Sequence, residues 1–208
     1  MSAPLQFLKM KLILFSNPDN GTIEGLEKEI LPKSNLVFGY MPADGNNPKP
    51  EFTPFWKEFA KRNKAGFLYL DNSKKPTKDE LEDIRKIDSL FVAGGNVYNL
   101  LDNVKKSGYD KIIKGLARNK DFIYSGFSAG AILATSNIRV AAKDNNWSFG
   151  YDEDSRNTQD TRALGLVDFE ILPHYEPRKD DENIKGFEKR YNTKLKPITD
   201  LQHLIVTK

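Results

Sequence analysis

The stretch Phe122 to Ala134, FIYSGFSAGAILA, constrains the fold more than any other in the chain. Four residues with strand character, Phe122 to Ser125, run into Gly126-Phe127-Ser128-Ala129-Gly130 and then into small, helix-forming residues. A strand that turns at once into a helix, with a glycine two positions either side of a serine, matches the G-x-S-x-G nucleophile elbow. The flanks of such an elbow must be small because the serine sits on a strained turn and the strand and helix backbones pass close together. Ser128 is then the candidate nucleophile. The amide of Ala129, at the N-terminus of the following helix, is a candidate oxyanion donor. The alternative is an ordinary strand-glycine-helix junction carrying an inert serine, so the surrounding chain has to decide.

That surrounding chain alternates. Short apolar runs at Lys11 to Ser16, Asn35 to Ala43, Gly66 to Leu70 and Ser89 to Ala93 precede the elbow strand. Between them lie helical patterns: Thr22 to Ile30, a segment opened by Thr53-Pro54 with Phe55, Trp56 and Phe59, and a segment headed by the capping-box pair Thr77 and Glu80. Two more follow, one after Gly94-Gly95-Asn96 and one over Tyr109 to Arg118. Strands and helices in this rhythm predict an α/β domain, a three-layer sandwich with a mostly parallel central sheet. Ligands of such sheets collect at the carboxyl ends of the strands, where Gly94-Gly95-Asn96 and Ser128 both fall. Beyond the elbow, Ala142 to Gly165 reads as a long polar loop, Val167 to Leu172 as a strand and Asp181 to Tyr191 as a helix. Short strands at Lys196 to Ile198 and Leu204 to Val206 end the chain. The 208 residues suit one domain over 11–208, with 1–10 as an extension.

Composition removes several chemistries. There is no cysteine, hence no disulfide, thiolate metal site or cysteine nucleophile, and a reducing, cytoplasmic compartment is expected. The 32 Lys and Arg are matched by 29 Asp and Glu, so a nucleic-acid partner is not expected. No apolar stretch approaches the roughly 20 residues that span a bilayer. The acidic clusters Asp152-Glu153-Asp154 and Asp180-Asp181-Glu182 lack a calcium-loop pattern, so neither a metal nor a cofactor is expected.

A serine nucleophile needs a base, and the chain has two histidines. His203 opens the last apolar run and reads as an edge-strand residue. His174 directly follows a strand, which brings it to the edge that carries Ser128 if that strand runs parallel to the elbow strand. There it would take the serine proton and return it to the leaving amine.

Together VAGGNVYNLL (Val92 to Leu101), GFSAGA (Gly126 to Ala131) and LPHY (Leu172 to Tyr175), in this order and spacing, resemble the serine peptidase family of dipeptidase E and cyanophycinase. The resemblance covers most of the chain from Lys11 onward. It implies the flavodoxin-like fold of class I glutamine amidotransferases, with serine in place of their cysteine, and no cofactor. It also implies that the amide of Gly95, and that of Gly94 beside it, joins that of Ala129 in an oxyanion hole.

The third catalytic member is open between two carboxylates. The family's candidate aspartate about fifteen residues after the serine falls beside Asp144, and its acidic position near the C-terminus falls at Asp200. Asp200 is preferred because it directly follows a predicted strand. The implied activity is exopeptidase cleavage of short peptides, aspartyl dipeptides among them, through an acyl-enzyme on Ser128. Asn96, Arg162 and Arg178 are candidates for holding the substrate, the arginines by receiving a carboxylate. A serine esterase or acyl transferase, and a non-catalytic binding protein on the same fold, are the alternatives, and both a monomer and a homodimer are compatible with the chain.

Overall fold

Residues 10–45, 52–143, 147, 149, 150 and 152–208 are described by a computed structural model. The apolar runs form strands β1 (Lys11–Phe15), β2 (Val37–Met41), β3 (Gly66–Tyr69), β4 (Ser89–Val92) and β5 (Ile123–Phe127). Two three-residue strands, β6 (Glu170–Leu172) and β7 (Leu195–Pro197), precede the last, β8 (His203–Thr207). The main sheet has the order β3-β2-β4-β5-β1-β8. Its pairings are parallel except at the edge, where β8 runs antiparallel to β1.

Period-two alternation along the strands divides the core between the two faces of this sheet. Leu12, Leu14, Leu90, Val92 and Tyr124 point into one cluster, and Ile13, Phe15, Phe91 and Ile123 into the other. The helices α1 (Asn20–Gly25), α2 (Glu27–Ile30) and α3 (Phe52–Arg62) cover the second face through Ile23, Ile30, Trp56 and Phe59. The first face is covered by α4 (Lys78–Ile84), α5 (Val97–Ser107), α6 (Tyr109–Leu116), α7 (Ala129–Leu133) and α8 (Asp181–Tyr191), through residues such as Ile84, Leu100, Ile113, Leu133 and Phe187. The result is the expected α/β sandwich, with an almost entirely parallel sheet between helical layers.

Local chemistry sets several of the boundaries. The Thr77–Glu80 capping box forms as read, with Glu80 N–H donating to Thr77 Oγ1 (3.2 Å) and Thr77 N–H to Glu80 Oε2 (2.7 Å). Gly108, at φ 86°, turns the chain from α5 into α6. Three expectations are corrected. The helix expected over Thr22 to Ile30 is two short helices that break at Leu26, directly after Gly25, a poor helix former. Thr53 does not open α3, which already includes Phe52, and Pro54 sits in the first turn, where a missing N–H costs nothing. The strand expected over Val167 to Leu172 shortens to β6 and leaves the main sheet, pairing instead with β7 in a separate two-stranded parallel sheet. Residues 1–9 of the expected N-terminal extension lie outside the described residues.

Candidate active site

Ser128 is the single residue between β5 and α7, at φ 48° and ψ −112°. A non-glycine residue in such a region costs about 1–3 kcal/mol and persists only where its surroundings over-determine it. Here they do. The Ser128 amide donates to the Phe15 carbonyl of the neighbouring strand (3.1 Å), and its own carbonyl accepts from the amides of Ala131 and Ile132 (3.0 Å each). From beneath, the fully buried Tyr124 hydroxyl donates to the Gly130 carbonyl (2.7 Å). Both elbow glycines are required by contact. A Cβ on Gly126 would stand 2.6 Å from the Gly130 carbonyl group, and one on Gly130 would run into the Val92 carbonyl oxygen.

The Ser128 Oγ lies 2.9 Å from His174 Nε2, and His174 Nδ1 lies 2.8 Å from Asp200 Oδ1. An imidazole that donates from Nδ1–H to a carboxylate leaves Nε2 bare to accept the serine proton. The small second sheet brings this pair together. Because β6 and β7 are parallel and in register, Leu172 opposite Pro197, their carboxyl ends emerge side by side. His174 follows the first of these ends and Asp200 the second, and Tyr175 N–H to the Ile198 carbonyl (3.2 Å) continues the pairing between them. The expectation that His174 would arrive from a strand of the elbow's own sheet is therefore corrected, while its meeting with Ser128 is observed.

Ser16, a residue the sequence reading passed over, ties this pair to the main sheet. It stands directly after β1, is fully buried, and donates from Oγ to Asp200 Oδ1 (2.9 Å) while accepting the His174 amide (2.6 Å). Burial acts to raise the Asp200 carboxyl, but hydrogen bonds from Ser16 and His174, the His174 charge and Asn17 together hold it below the usual carboxylate range. The signal available in the sequence was a serine at the carboxyl end of a central apolar strand.

On the other side of the elbow, a cavity of about 430 Å³ opens between the carboxyl ends of β2 and β4. Gly94 and Gly95 form part of its wall, where a Cβ on Gly94 would enter the Phe127 ring and one on Gly95, at φ 152°, would stand 2.7 Å from the Ala43 Cβ. Asn96 also lines the cavity, but its side chain is spent on structure: Oδ1 caps α5 through the Asn99 amide (3.0 Å) and Nδ2 donates to the Glu153 carbonyl (3.1 Å). Beside it the Val97 amide donates to Asp152 Oδ2 (2.7 Å), so Asp152 and Glu153 together clasp the Gly94-Gly95-Asn96 turn. Asp152 also lines a small crevice with Ser128 and Ala129. Burial raises its carboxyl, against the opposing effects of the Val97 amide and the His174 charge. The α7 helix is five residues long, so the Ala129 amide acts as an individual donor with no carbonyl of its own helix to bond, and not through a helix dipole.

Other candidates fall elsewhere. Arg162 is paired with Asp160 (2.8 Å), which also holds Lys105 (3.1 Å) near the far end of α5. It lines a different cavity with Lys105, Asp110 and Lys114, and is removed from the site because α5 runs away from the elbow edge. Arg178 is exposed in the turn after His174. Asp144 lies outside the described residues. His203 sits exposed on the edge strand β8, opposite Phe15. Among the described residues no group of His, Cys, Asp or Glu could hold a metal ion, and no helix is long and apolar enough to cross a membrane.

Fold and site together define a three-layer α/β protein with a Ser-His-Asp chain at a strained strand-to-helix elbow. The chain belongs to peptidase family S51, whose family model matches residues 47–208. It is 38% identical over 93 residues to an uncharacterized peptidase of Listeria monocytogenes, a match covering 44% of this chain and 42% of the relative. It is 28% identical over 139 residues to an uncharacterized peptidase of Pasteurella multocida, covering 66% and 64%. The aligned part thus spans less than half of the Listeria relative. Two solved structures share the fold. A candidate peptidase E protein from Listeria monocytogenes EGD-e has a TM-score of 0.66 at 22% identity, covering 96% of this chain and 98% of that one. A peptidase from an acI-B1 Actinobacterium has a TM-score of 0.62 at 16% identity, covering 97% and 84%.

Proposed function

We propose that the protein is a serine exopeptidase that hydrolyses short peptides through an acyl-enzyme on Ser128, with His174 as general base and acid and Asp200 as its orienting carboxylate. The observation that carries this reading is the unbroken chain from Ser128 Oγ through His174 to Asp200. In it, Oγ attacks the scissile carbonyl as its proton passes to Nε2, and the oxyanion is received by the amides of Ala129 and Gly95, with Gly94 beside them. His174 returns the proton to the amine, which leaves. Water then repeats the sequence, its proton going to Nε2 and its oxygen to the acyl carbon, and Ser128 is restored. The Asp200 charge stabilises the imidazolium in both halves. Family membership and the low carboxyl of Asp200 support the reading, as does a cavity sized for one residue of a short substrate. The cysteine-free composition favours the cytoplasm, which cell fractionation would check.

The test is a dipeptide-library hydrolysis screen beside Ser128→Ala. The variant is expected to lose hydrolysis while keeping its fold, and a fluorophosphonate is expected to label Ser128 in the folded wild type. Full activity in the variant would remove Ser128 from the mechanism, and turnover of acyl esters without dipeptides would replace the peptidase by an esterase.

A further inference from the structure

The Gly94-Gly95-Asn96 turn cannot hold itself. Its two glycines carry no side chain to pack, Gly95 stands at φ 152°, and among the described residues neither of their amides donates to a backbone carbonyl. Such a turn keeps one geometry only if its ends are fixed from outside. At its near end the Ala93 amide donates to the Met41 carbonyl (2.9 Å), which extends the pairing of β2 and β4 up to the turn. At its far end the tie is Asp152, whose Oδ2 takes the Val97 amide, the first of α5.

Asp152 is itself placed by the chain that leaves the elbow. Its amide donates to the Ala141 carbonyl (3.0 Å) and its carbonyl accepts the Lys143 amide (3.4 Å), so its backbone is pinned to the short turn Arg139–Ala141 that follows α7. Gly150, at φ 93°, makes this approach possible, since a Cβ there would stand 2.2 Å from the Ala142 carbonyl oxygen. The carboxylate therefore reaches from the elbow side, where it shares a crevice with Ser128 and Ala129, to the turn after β4. The segment it heads has no apolar residue from Asp152 to Arg162 and continues along α5 through polar ties, Arg156 to Asn99 (2.9 Å) and Asp160 to Lys105 (3.1 Å). Exposed ties of this kind contribute little each, so the half-buried bond from Val97 to the Asp152 carboxylate is the firmest point of the clasp.

We propose that Asp152 is a positioning residue: by holding the Val97 amide it fixes the Gly94 and Gly95 amides at the spacing from the Ala129 amide that one oxyanion needs. The assignment rests on the peptidase reading above for the oxyanion that those amides receive. The Asp152 charge would oppose a nearby oxyanion while favouring the His174 imidazolium, so its contact with Val97 and its charge have to be separated by substitution.

Asp152→Ala is expected to lower kcat and the rate of fluorophosphonate labelling about 10- to 100-fold with KM little changed, because misplacing a catalytic donor by about 1 Å acts on that scale. It should also speed hydrogen exchange of the amides from Gly94 to Val97 about tenfold or more, while the amides of β1 and β5 keep their protection. Asp152→Asn retains an oxygen for the Val97 amide and should recover most of both losses. Val97→Pro deletes the donor at a helix position that tolerates proline, and should reproduce the loss without adding to it in an Asp152→Ala background. Labelling and exchange unchanged in Asp152→Ala would overturn the assignment. So would an Asp152→Asn as slow as Asp152→Ala with exchange of the turn unaltered, since the charge and not the clasp would then be the contributor. Labelling in the expected order with no peptide hydrolysed by the wild type would retain Asp152 as the positioning residue and remove the peptidase activity. A wild type neither labelled nor active would overturn both.

Discussion

Ser16 shows how much a single buried hydroxyl can organise. Its Oγ joins the Asp200 carboxylate to the His174 backbone, so in the proposed mechanism it acts only by holding two groups that take part. Ser16→Ala is expected to lower kcat about tenfold, the scale of one hydrogen bond to a charged group, with KM little changed because Ser16 is fully buried beneath the site. Asp200 supplies a pH test. Its carboxyl is held below the usual range in the folded state, so its contribution to stability is complete above the ordinary carboxylate value and is lost as pH falls through the depressed one. Thermal unfolding of wild type and Asp200→Asn should therefore differ by a constant amount down to about pH 4 and converge below it. In a Ser16→Ala background the gap should be smaller and the convergence complete at higher pH, because the folded-state carboxyl is depressed less. A gap that widens on acidification would contradict the assignment. At this scale the sequence identified Ser128 and His174, because motif and scarcity single them out. It left Asp200 and Asp144 open, since carboxylates are common and only contact distinguishes them.

At the scale of elements, the elbow is first a packing solution. Gly130 faces the Val92 backbone of β4, and backbone cannot rotate away as a side chain would. Gly130→Ala is expected to destabilise the protein by about 1–3 kcal/mol in denaturant unfolding and to abolish fluorophosphonate labelling of Ser128. Thr77→Ala removes the capping box at the head of α4, far along the chain from the site, and should cost about 1 kcal/mol without altering activity. The capping box, the main strands and α8 were legible because each rests on local spacing. The break at Leu26 and the departure of β6 from the main sheet were not. A three-residue strand carries no periodic signal that names its partner, and β7 lies some 20 residues further on.

For the whole molecule, the question is what fixes the small β6–β7 sheet, and with it His174 and Asp200, against the body that carries Ser128. Ser16 is one tie. Another is Arg139, in a short 3-10 turn, whose Nε lies 2.9 Å from the fully buried Glu170 of β6 and whose guanidinium lies over the Tyr191 ring of α8. Arg139→Ala would leave the Glu170 charge buried without its partner, and should cost about 3–5 kcal/mol and impair catalysis through the displaced histidine. A thermal shift and a rate measured on the same preparation would check both, and an unchanged melting temperature would contradict this role. By itself the sequence determined the alternating core, the sandwich it builds and the elbow with its serine, because period-two apolar strands, helical spacing and small-residue turns are local properties of the chain. Tertiary structure alone decided which carboxylate stands behind His174, that Ser16 binds them both, that Arg162 lies at the far end of α5, and that the cavity beside the elbow is aromatic. Those facts depend on segments distant in sequence meeting at one sheet edge, and the meeting is set by strand order and register, which no local pattern encodes.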